Sequence, residues 1–309
     1  MDPFIYILDI IVFIGIFAIV ALSLNLEYGF TGLGNFGKVA FFLIGAYTYA
    51  LLIEAGLHFT LCLIIAALLA GLIGSLISLP ALRLREDYLA IVTLAFGEII
   101  RIVVKAEHWL AHGVWGMTVP PAIFWQGASF RMTLVAHISL VFFCLLICFI
   151  LVQLVTNSPY GRVIRAIRED EVAAATLGKS LLKYKAQVFA MGSALAGLGG
   201  ALFAQYIGFI EPYMFMPMLT FTVWIMVLVG GPANNWGALL GATLVQLFSR
   251  GAKMMKDYLL VPFDPTDLQY ILLGLLIIFI LLYRPSGIFK ERQVKTKAVE
   301  RVLQWKKRS

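Results

Sequence analysis

Apolar and polar positions alternate along this chain on the scale of whole helices rather than single turns. Nine stretches, at 5–24, 39–53, 61–79, 89–104, 132–155, 186–210, 216–229, 238–248 and 268–283, are almost wholly apolar, and short polar or glycine-rich breaks divide them. With a rise of 1.5 Å per residue, about 20 apolar residues cross the hydrocarbon core of a bilayer. Several stretches fall short of that length. The pattern therefore predicts an all-α polytopic membrane protein with about 8–10 transmembrane helices, some short, broken or re-entrant.

One break differs from the rest. The segment SPYGRVIRAIREDEVAAATLG at 158–178 is densely charged between two spans, so it leaves the bilayer. Ser158 suits a helix N-cap, Pro159 the first helical position and Gly178 the turn past the last residue, which predicts one helix across the segment. Arg165 with Glu169 and Arg168 with Glu171 have the spacing of intrahelical ion pairs. The segment reads either as a docking helix or as a solvated loop helix without a partner.

Composition supports the membrane assignment: 61% of the 309 residues are hydrophobic and 13% are charged. The chain divides into a transmembrane domain over 1–290 and a basic tail over 291–309. The net charge of +7 follows topology, not nucleic acid. With nine spans and the N-terminus outside, one side collects most basic residues: Lys38, Arg83 and Arg85 in loops, Arg162, Arg165, Arg168, Lys179, Lys183 and Lys185 centrally, then the tail. The positive-inside rule makes that side cytoplasmic. Met1-Asp2-Pro3 lacks a basic residue and no small-residue cleavage site follows, so 5–24 reads as a retained span. Cys62, Cys144 and Cys148 fall inside spans as small apolar residues and form no disulfide framework.

The stretch GFTGLGNFGKV at 29–39 fits two nucleotide motifs on paper. Gly32, Gly34 and Gly37 match G-x-G-x-x-G, and Lys38 follows as in a P-loop, but Val39 stands where that loop needs Ser or Thr. Membrane spans on both sides deny the strand and the water-filled site that such motifs require. A glycine-rich break before a short span fits a re-entrant or broken helix instead. A second such break, GGPANNWG at 230–237, precedes the short stretch 238–248. Asn35-Phe36-Gly37 parallels Asn235-Trp236-Gly237, and Gly45-Ala46 parallels Gly241-Ala242, as an internal repeat or by chance. Paired glycine-interrupted short segments point to a transport pathway, with Asn25, Gly32, Gly34, Gly37, Asn235 and Gly237 as candidate residues.

Charge inside the spans is rare. Glu98 and Arg101 lie three apart with Lys105 one turn on, either a pathway or gating pair or a structural pair fixing helix rotation. Gly192, Ala196, Gly200, Ala204 and Gly208 form a small-residue ridge every four residues, and Ala67, Gly71 and Ser75 form another. Each serves close helix packing, within the chain or against a second subunit. His108 and His112 stand four apart after Glu107 but lack the HExxH order and a third ligand, so no metal site is expected. Trp109, Trp115 and Trp125 suit interface anchors or an outer cap.

These segments together resemble the inner-membrane permease subunits of branched-chain amino-acid ABC importers over most of 22–290. The resemblance is carried by LNLEYGFTG (24–32), AFFLIGAYT (40–48), LRLREDYLAIVTLAFGEIIR (82–101), the 158–178 segment, GGP (230–232), WGALLG (236–241) and RPSGIF (284–289), in that order. It implies a non-enzymatic chain in a prokaryotic inner membrane that binds no cofactor itself, ATP and magnesium residing on two partner ATPases. It also implies a second related permease, an extracytoplasmic binding protein delivering leucine, isoleucine or valine, and a surrounding of membrane lipid. The cytoplasmic helix would dock into an ATPase groove through Arg162, Arg165, Arg168, Glu169, Asp170, Glu171, Ala173, Ala174 and Gly178. Two departures stand out. Lys38 sits where relatives carry a small or polar residue, and HGVWGM (112–117) only loosely matches a Thr-Gly-Gly pattern. Urea and short-amide importers share the architecture, and a stand-alone channel or secondary transporter is the rival from another class. A membrane-embedded enzyme would need a polar catalytic cluster, for which His108 and His112 are the nearest approach.

Overall fold

The computed structural model describes residues 3–82, 86–121, 130–258 and, between 271 and 291, all but 272, 273, 277, 281 and 285. Arg83, Arg85, Trp125 and the basic tail from 292 onward lie outside the described residues.

Helix α1 (Pro3–Leu24) runs into a π-helical turn at Asn25–Gly29. An extended stretch at 32–37 then leads into α2 (Lys38–Glu54). Helices α3 (Phe59–Ala81) and α4 (Glu86–Ala106) follow, then a short helical turn α5 (His108–Ala111). The long α6 (Phe130–Asn157) leads to α7 (Pro159–Glu169) and α8 (Glu171–Thr176), at the end of the bundle that the lysine and arginine distribution predicts to be the inner one. Helices α9 (Leu181–Ile207), α10 (Pro217–Gly230) and α11 (Asn235–Tyr258) complete the bundle, and further helical turns fall between 271 and 283. Strands β1 (Met117–Thr118) and β2 (Phe209–Ile210) pair antiparallel, Met117 opposite Ile210. That pair ties the loop after α4 to the end of α9.

Among the described residues, four segments are long and apolar enough to cross a membrane: Ile5–Gly29, Phe59–Ala81, Arg131–Asn157 and Leu181–Ile207. The others are shorter or carry more charge, as the sequence pattern expects for broken spans. The bundle is built around α1 and α9. Ile16, Ile19, Leu22 and Leu24 of α1 have no exposed surface, and neither do Val188, Phe189, Ala196 and Ala204 of α9. By contrast α3 and α6 expose Leu68, Leu76, Leu146 and Leu154 outward, the pattern of helices that face lipid.

The small-residue ridge of α9 is used inside the chain. A Cβ at Gly200 would stand 1.8 Å from the Phe42 carbonyl oxygen, and one at Gly45 would stand 1.9 Å from that of Gly197. Helices α2 and α9 therefore touch backbone to backbone. On α3 the seam differs from the expected Ala67, Gly71 and Ser75. Gly71 lies in it, but Ala66, Ala70 and Gly74 make the close approach to Ser193 and Gly197 while Ala67 and Ser75 flank it half-buried.

Candidate functional site at the inner face

The first glycine-rich break is buried, and it survives because nearly every donor in it has an assigned partner. The Gly32 and Leu33 amides donate to the carbonyls of Tyr28 and Glu27. Phe36 N donates to Thr93 Oγ1 (3.0 Å), Gly37 N to Asn35 Oδ1 (2.9 Å) and Val39 N to Thr220 Oγ1 (3.0 Å). Trp224 closes the other wall, its ring stacked on Phe36 at 4.5 Å and its Nε1 donating to the Asn35 carbonyl. Irregular backbone inside a membrane protein requires this kind of satisfaction. Gly37 is held to glycine because a Cβ there would lie 2.1 Å from the Thr93 carbonyl oxygen, and Gly32 because its φ is +77°. Gly34 meets only ordinary contacts.

Lys38 is not a loop charge. Its Nζ lies 2.7 Å from Glu27 Oε1, and both side chains are fully buried. Asn35 Nδ2 donates to the other oxygen, Glu27 Oε2, at 3.0 Å. Gly192 of α9 provides the space, since a Cβ there would lie 2.1 Å from Glu27 Oε1. The lysine that imitates a phosphate-binding loop is thus engaged by a carboxylate. Glu27 escaped the sequence reading because the first span was ended at 24; a carboxylate inside the longer stretch Ile5–Gly29 is the signal that marks it.

The two breaks meet. Asn25 Nδ2 donates to Asn235 Oδ1 at 3.1 Å, and Asn25 Oδ1 accepts from the Ala233 amide at 2.9 Å. Asn235 in turn donates to Gln153 Oε1 (2.7 Å) and Thr156 Oγ1 (3.3 Å) at the end of α6. Gly237 crosses Gly230 closely, its Cβ position 2.6 Å from the Gly230 carbonyl oxygen. The chain after the last helix closes the same face, with Ile288 and Phe289 amides donating to the carbonyls of Val229 and Gly230.

The charged segment is two helices, not one. Ser158 caps the first, its hydroxyl accepting from Gly161 N, with Pro159 in the first turn. At Asp170 the backbone turns extended (φ −156°, ψ 106°) and the Asp170 carboxylate caps the second helix by accepting from Ala173 N at 3.0 Å. An N-cap in mid-segment starts a new helix, which is why a continuous one does not form. Gly178 ends it at φ +75°.

The expected intrahelical ion pairs are replaced by tertiary ones. Arg168 donates to the Gly29 carbonyl through Nη1, and its Nη2 holds both oxygens of Glu291 at 2.8 Å. Glu171 pairs with Lys185 of α9. Arg165 turns inward, its guanidinium 5.0 Å from the centroid of the Phe30 ring. Burial lowers its pKa from the ordinary value, partly opposed by Glu291 and Glu169. Glu169, Asp170 and Ala173 are exposed, while Ala174 is buried. Val172 and Leu177, absent from the expected contact set, are 74% and 78% exposed. Helical wheel reasoning could not find them, because the break at Asp170 resets the phase.

Glu98 and Arg101 pair with each other on α4, Arg101 Nε donating to Glu98 Oε2 at 2.9 Å, and they stand apart from the inner-face network. The outer half carries a polar cluster that the pattern did not mark: Tyr206 donates to Asp9 Oδ1 at 2.5 Å, and Arg250 pairs with Asp9. His112 takes a left-handed backbone at φ 55°, Trp115 is exposed, and no group of three metal-binding side chains occurs among the described residues.

Residues 6–281 match the family described as the permease component of branched-chain amino acid transport systems. The chain is 30% identical over 334 residues to a probable branched-chain amino acid transport permease, LivM, of Methanocaldococcus jannaschii, covering 95% of this chain and 96% of that protein. It is 34% identical over 303 residues to the high-affinity branched-chain amino acid permease LivM of Escherichia coli K12, covering 91% and 69% of the two. Similarity extends to LivH of the same bacterium, at 25% identity over 302 residues, covering 90% and 92%. No solved structure gives a significant match. Buried membrane breaks, an inner face closed by a charged helix pair and a family match over most of its length agree: this chain is a multi-pass membrane protein belonging to the permease component family of branched-chain amino acid transport systems.

Proposed function

We propose that this chain is one of two permease subunits of an ATP-driven importer in a prokaryotic inner membrane, moving leucine, isoleucine or valine inward by alternating access. The observation that carries the reading is the Arg168 linkage. One guanidinium joins the cytoplasmic helix pair to the Gly29 carbonyl at the end of the first span and to Glu291 beyond the last helix. A pull on α7 and α8 would thus act directly on a π-helical turn, a feature frequent at functional sites, and through Asn25 on Asn235. Two packed arrangements of those breaks would open the pathway to either side.

In this reading two cytoplasmic ATPases hold the ATP and magnesium, and α8 docks into them through Val172, Ala173 and Leu177 beside Glu169 and Asp170. The chain itself binds no cofactor. Similarity to both LivM and LivH supports a paired permease, and an extracytoplasmic binding protein would supply the selectivity that so few intramembrane charges leave to this chain. Relatives named for branched-chain amino acids favour those substrates over urea or short amides.

Gentle purification from native membranes followed by mass spectrometry tests the assembly, and uptake by the reconstituted complex tests the substrate. A second permease and ATPases in fixed ratio, with ATP-dependent leucine uptake, are expected. A chain that emerges alone and conducts solute in liposomes without ATP would overturn the reading in favour of a channel or secondary transporter.

A further inference from the structure

Beside the Asn25–Asn235 network a cavity of about 330 Å³ opens between α6, α7 and the 233–236 turn. Its lining includes Arg162, Arg165, Gln153, Asn157, Asn234 and Trp236, and no carboxylate. Neither arginine has an acidic partner within salt-bridge distance among the described residues. The nearby Glu291 is taken by Arg168 through two hydrogen bonds. Arg165 is braced on Phe30, and its Nε is buried with no hydrogen-bond partner. Glu291 and Glu169 act on Arg165 from nearby but do not line the cavity, so the two guanidinium groups that line it present positive charge there, which a bound anion would complement.

The depth of the cavity points to the kind of anion. It lies at the cytoplasmic end of α6, where the charge distribution places the membrane surface. Trp236, 60% exposed and packed on Phe149 at 4.7 Å, has the amphipathic position of a headgroup-level anchor. Two exposed apolar stripes begin one turn or less from the cavity: Leu154, Ile150 and Leu146 on α6, and Leu240, Leu244 and Leu247 on α11. A soluble anion has no use for such stripes, but acyl chains do.

We propose that this cavity binds the phosphate of an anionic phospholipid of the inner leaflet, with its acyl chains along the α6 and α11 stripes. The planar guanidinium groups of Arg162 and Arg165 donate to the phosphate oxygens, as arginine does wherever phosphate is held in a fixed geometry. Basic pockets between membrane helices on the cytoplasmic side are suited to such headgroups. A zwitterionic headgroup brings its own cation into a site that already holds two, so the site selects against it.

The test is native mass spectrometry of the full chain, purified in mild detergent and offered phosphatidylglycerol or phosphatidylethanolamine. The wild type should retain one phosphatidylglycerol through delipidation. Arg162→Gln with Arg165→Gln should reduce retention roughly tenfold and Arg162→Gln alone by a smaller factor, as charge-assisted bonds are removed in turn. The single change, at an exposed side chain, decides the matter if the double variant does not fold. Equal retention of phosphatidylglycerol by the wild type and the single variant would overturn the site, and equal retention of phosphatidylethanolamine would overturn its selectivity. Millimolar inorganic phosphate should leave the lipid in place; displacement by it would assign the cavity to a soluble anion instead.

Discussion

Lys38 Nζ lies 2.7 Å from Glu27 Oε1 across the first membrane break, and neither side chain has exposed surface. Both charges have left water, and the remaining carboxylate oxygen is covered by Asn35. Such a pair fixes one arrangement of the break, because separating the partners strands a charge in a low-dielectric interior.

Removing one partner should be costly. Lys38→Met or Glu27→Ala alone should destabilise the chain by about 3–5 kcal/mol, whereas Lys38→Met combined with Glu27→Gln should recover most of the loss. Thermal unfolding of the detergent-solubilised chain reads both. Single variants as stable as the wild type would show that the pair is not desolvated as the structure has it.

Arg168 should transmit rather than dock. Arg168→Gln removes the bonds to Gly29 and Glu291 while leaving α8 in place. Uptake by the reconstituted complex should fall by about tenfold or more, consistent with loss of a charge-assisted link, while ATPase subunits still copurify and hydrolyse ATP. Retained uptake would leave coupling to another route.

Docking should depend on the apolar tip of the segment. Val172→Asp and Leu177→Asp place a charge on side chains that are 74% and 78% exposed, so folding should be unaffected and capture of the ATPases lost. Arg165→Gln, which changes an inward-facing group, should leave capture intact. The opposite pattern would move the contact from α8 to α7.

The two breaks should be energetically coupled. Asn25→Ala leaves the Ala233 amide without its acceptor and Asn235 without its donor, at about 1–3 kcal/mol for the buried groups. A double-mutant cycle of Asn25→Ala and Asn235→Ala should give an interaction term of about 0.5–3 kcal/mol. Strict additivity would mean that the breaks move independently.

Backbone contact between α2 and α9 admits no side chain. Gly45→Ala and Gly200→Ala would each drive a methyl to within 2 Å of a carbonyl oxygen, so neither variant should accumulate as folded protein. Gly34→Ala, with only ordinary contacts, should express like the wild type, and gel filtration in detergent separates the outcomes.

The amino-acid sequence by itself determined the class of this protein. Runs of apolar residues at membrane-spanning length leave few choices of solvent, and the distribution of lysine and arginine orients the chain. Caps at Ser158 and Gly178 were legible for the same reason: a cap is local chemistry between neighbours, and neighbours are what a sequence lists. The glycine breaks at 29–37 and 230–237 were legible as breaks because several glycines cluster there between apolar stretches, beside polar residues and, in the second, a proline.

What those breaks do to each other depended on the tertiary structure. Asn25 and Asn235 are 210 residues apart, and Arg168 reaches Gly29 across 139, so no local rule could join them. Nor could spacing show that Arg168 and Glu171 take Glu291 and Lys185 in preference to each other. An ion pair on an exposed helix is weak, and packing that brings a second charge into a half-buried site easily outbids it. The phase of the exposed face was lost at Asp170 for a related reason: one residue in extended conformation rotates everything after it. Sequence periodicity specifies which residues share a face only while the helix continues, and the fold decides where it stops.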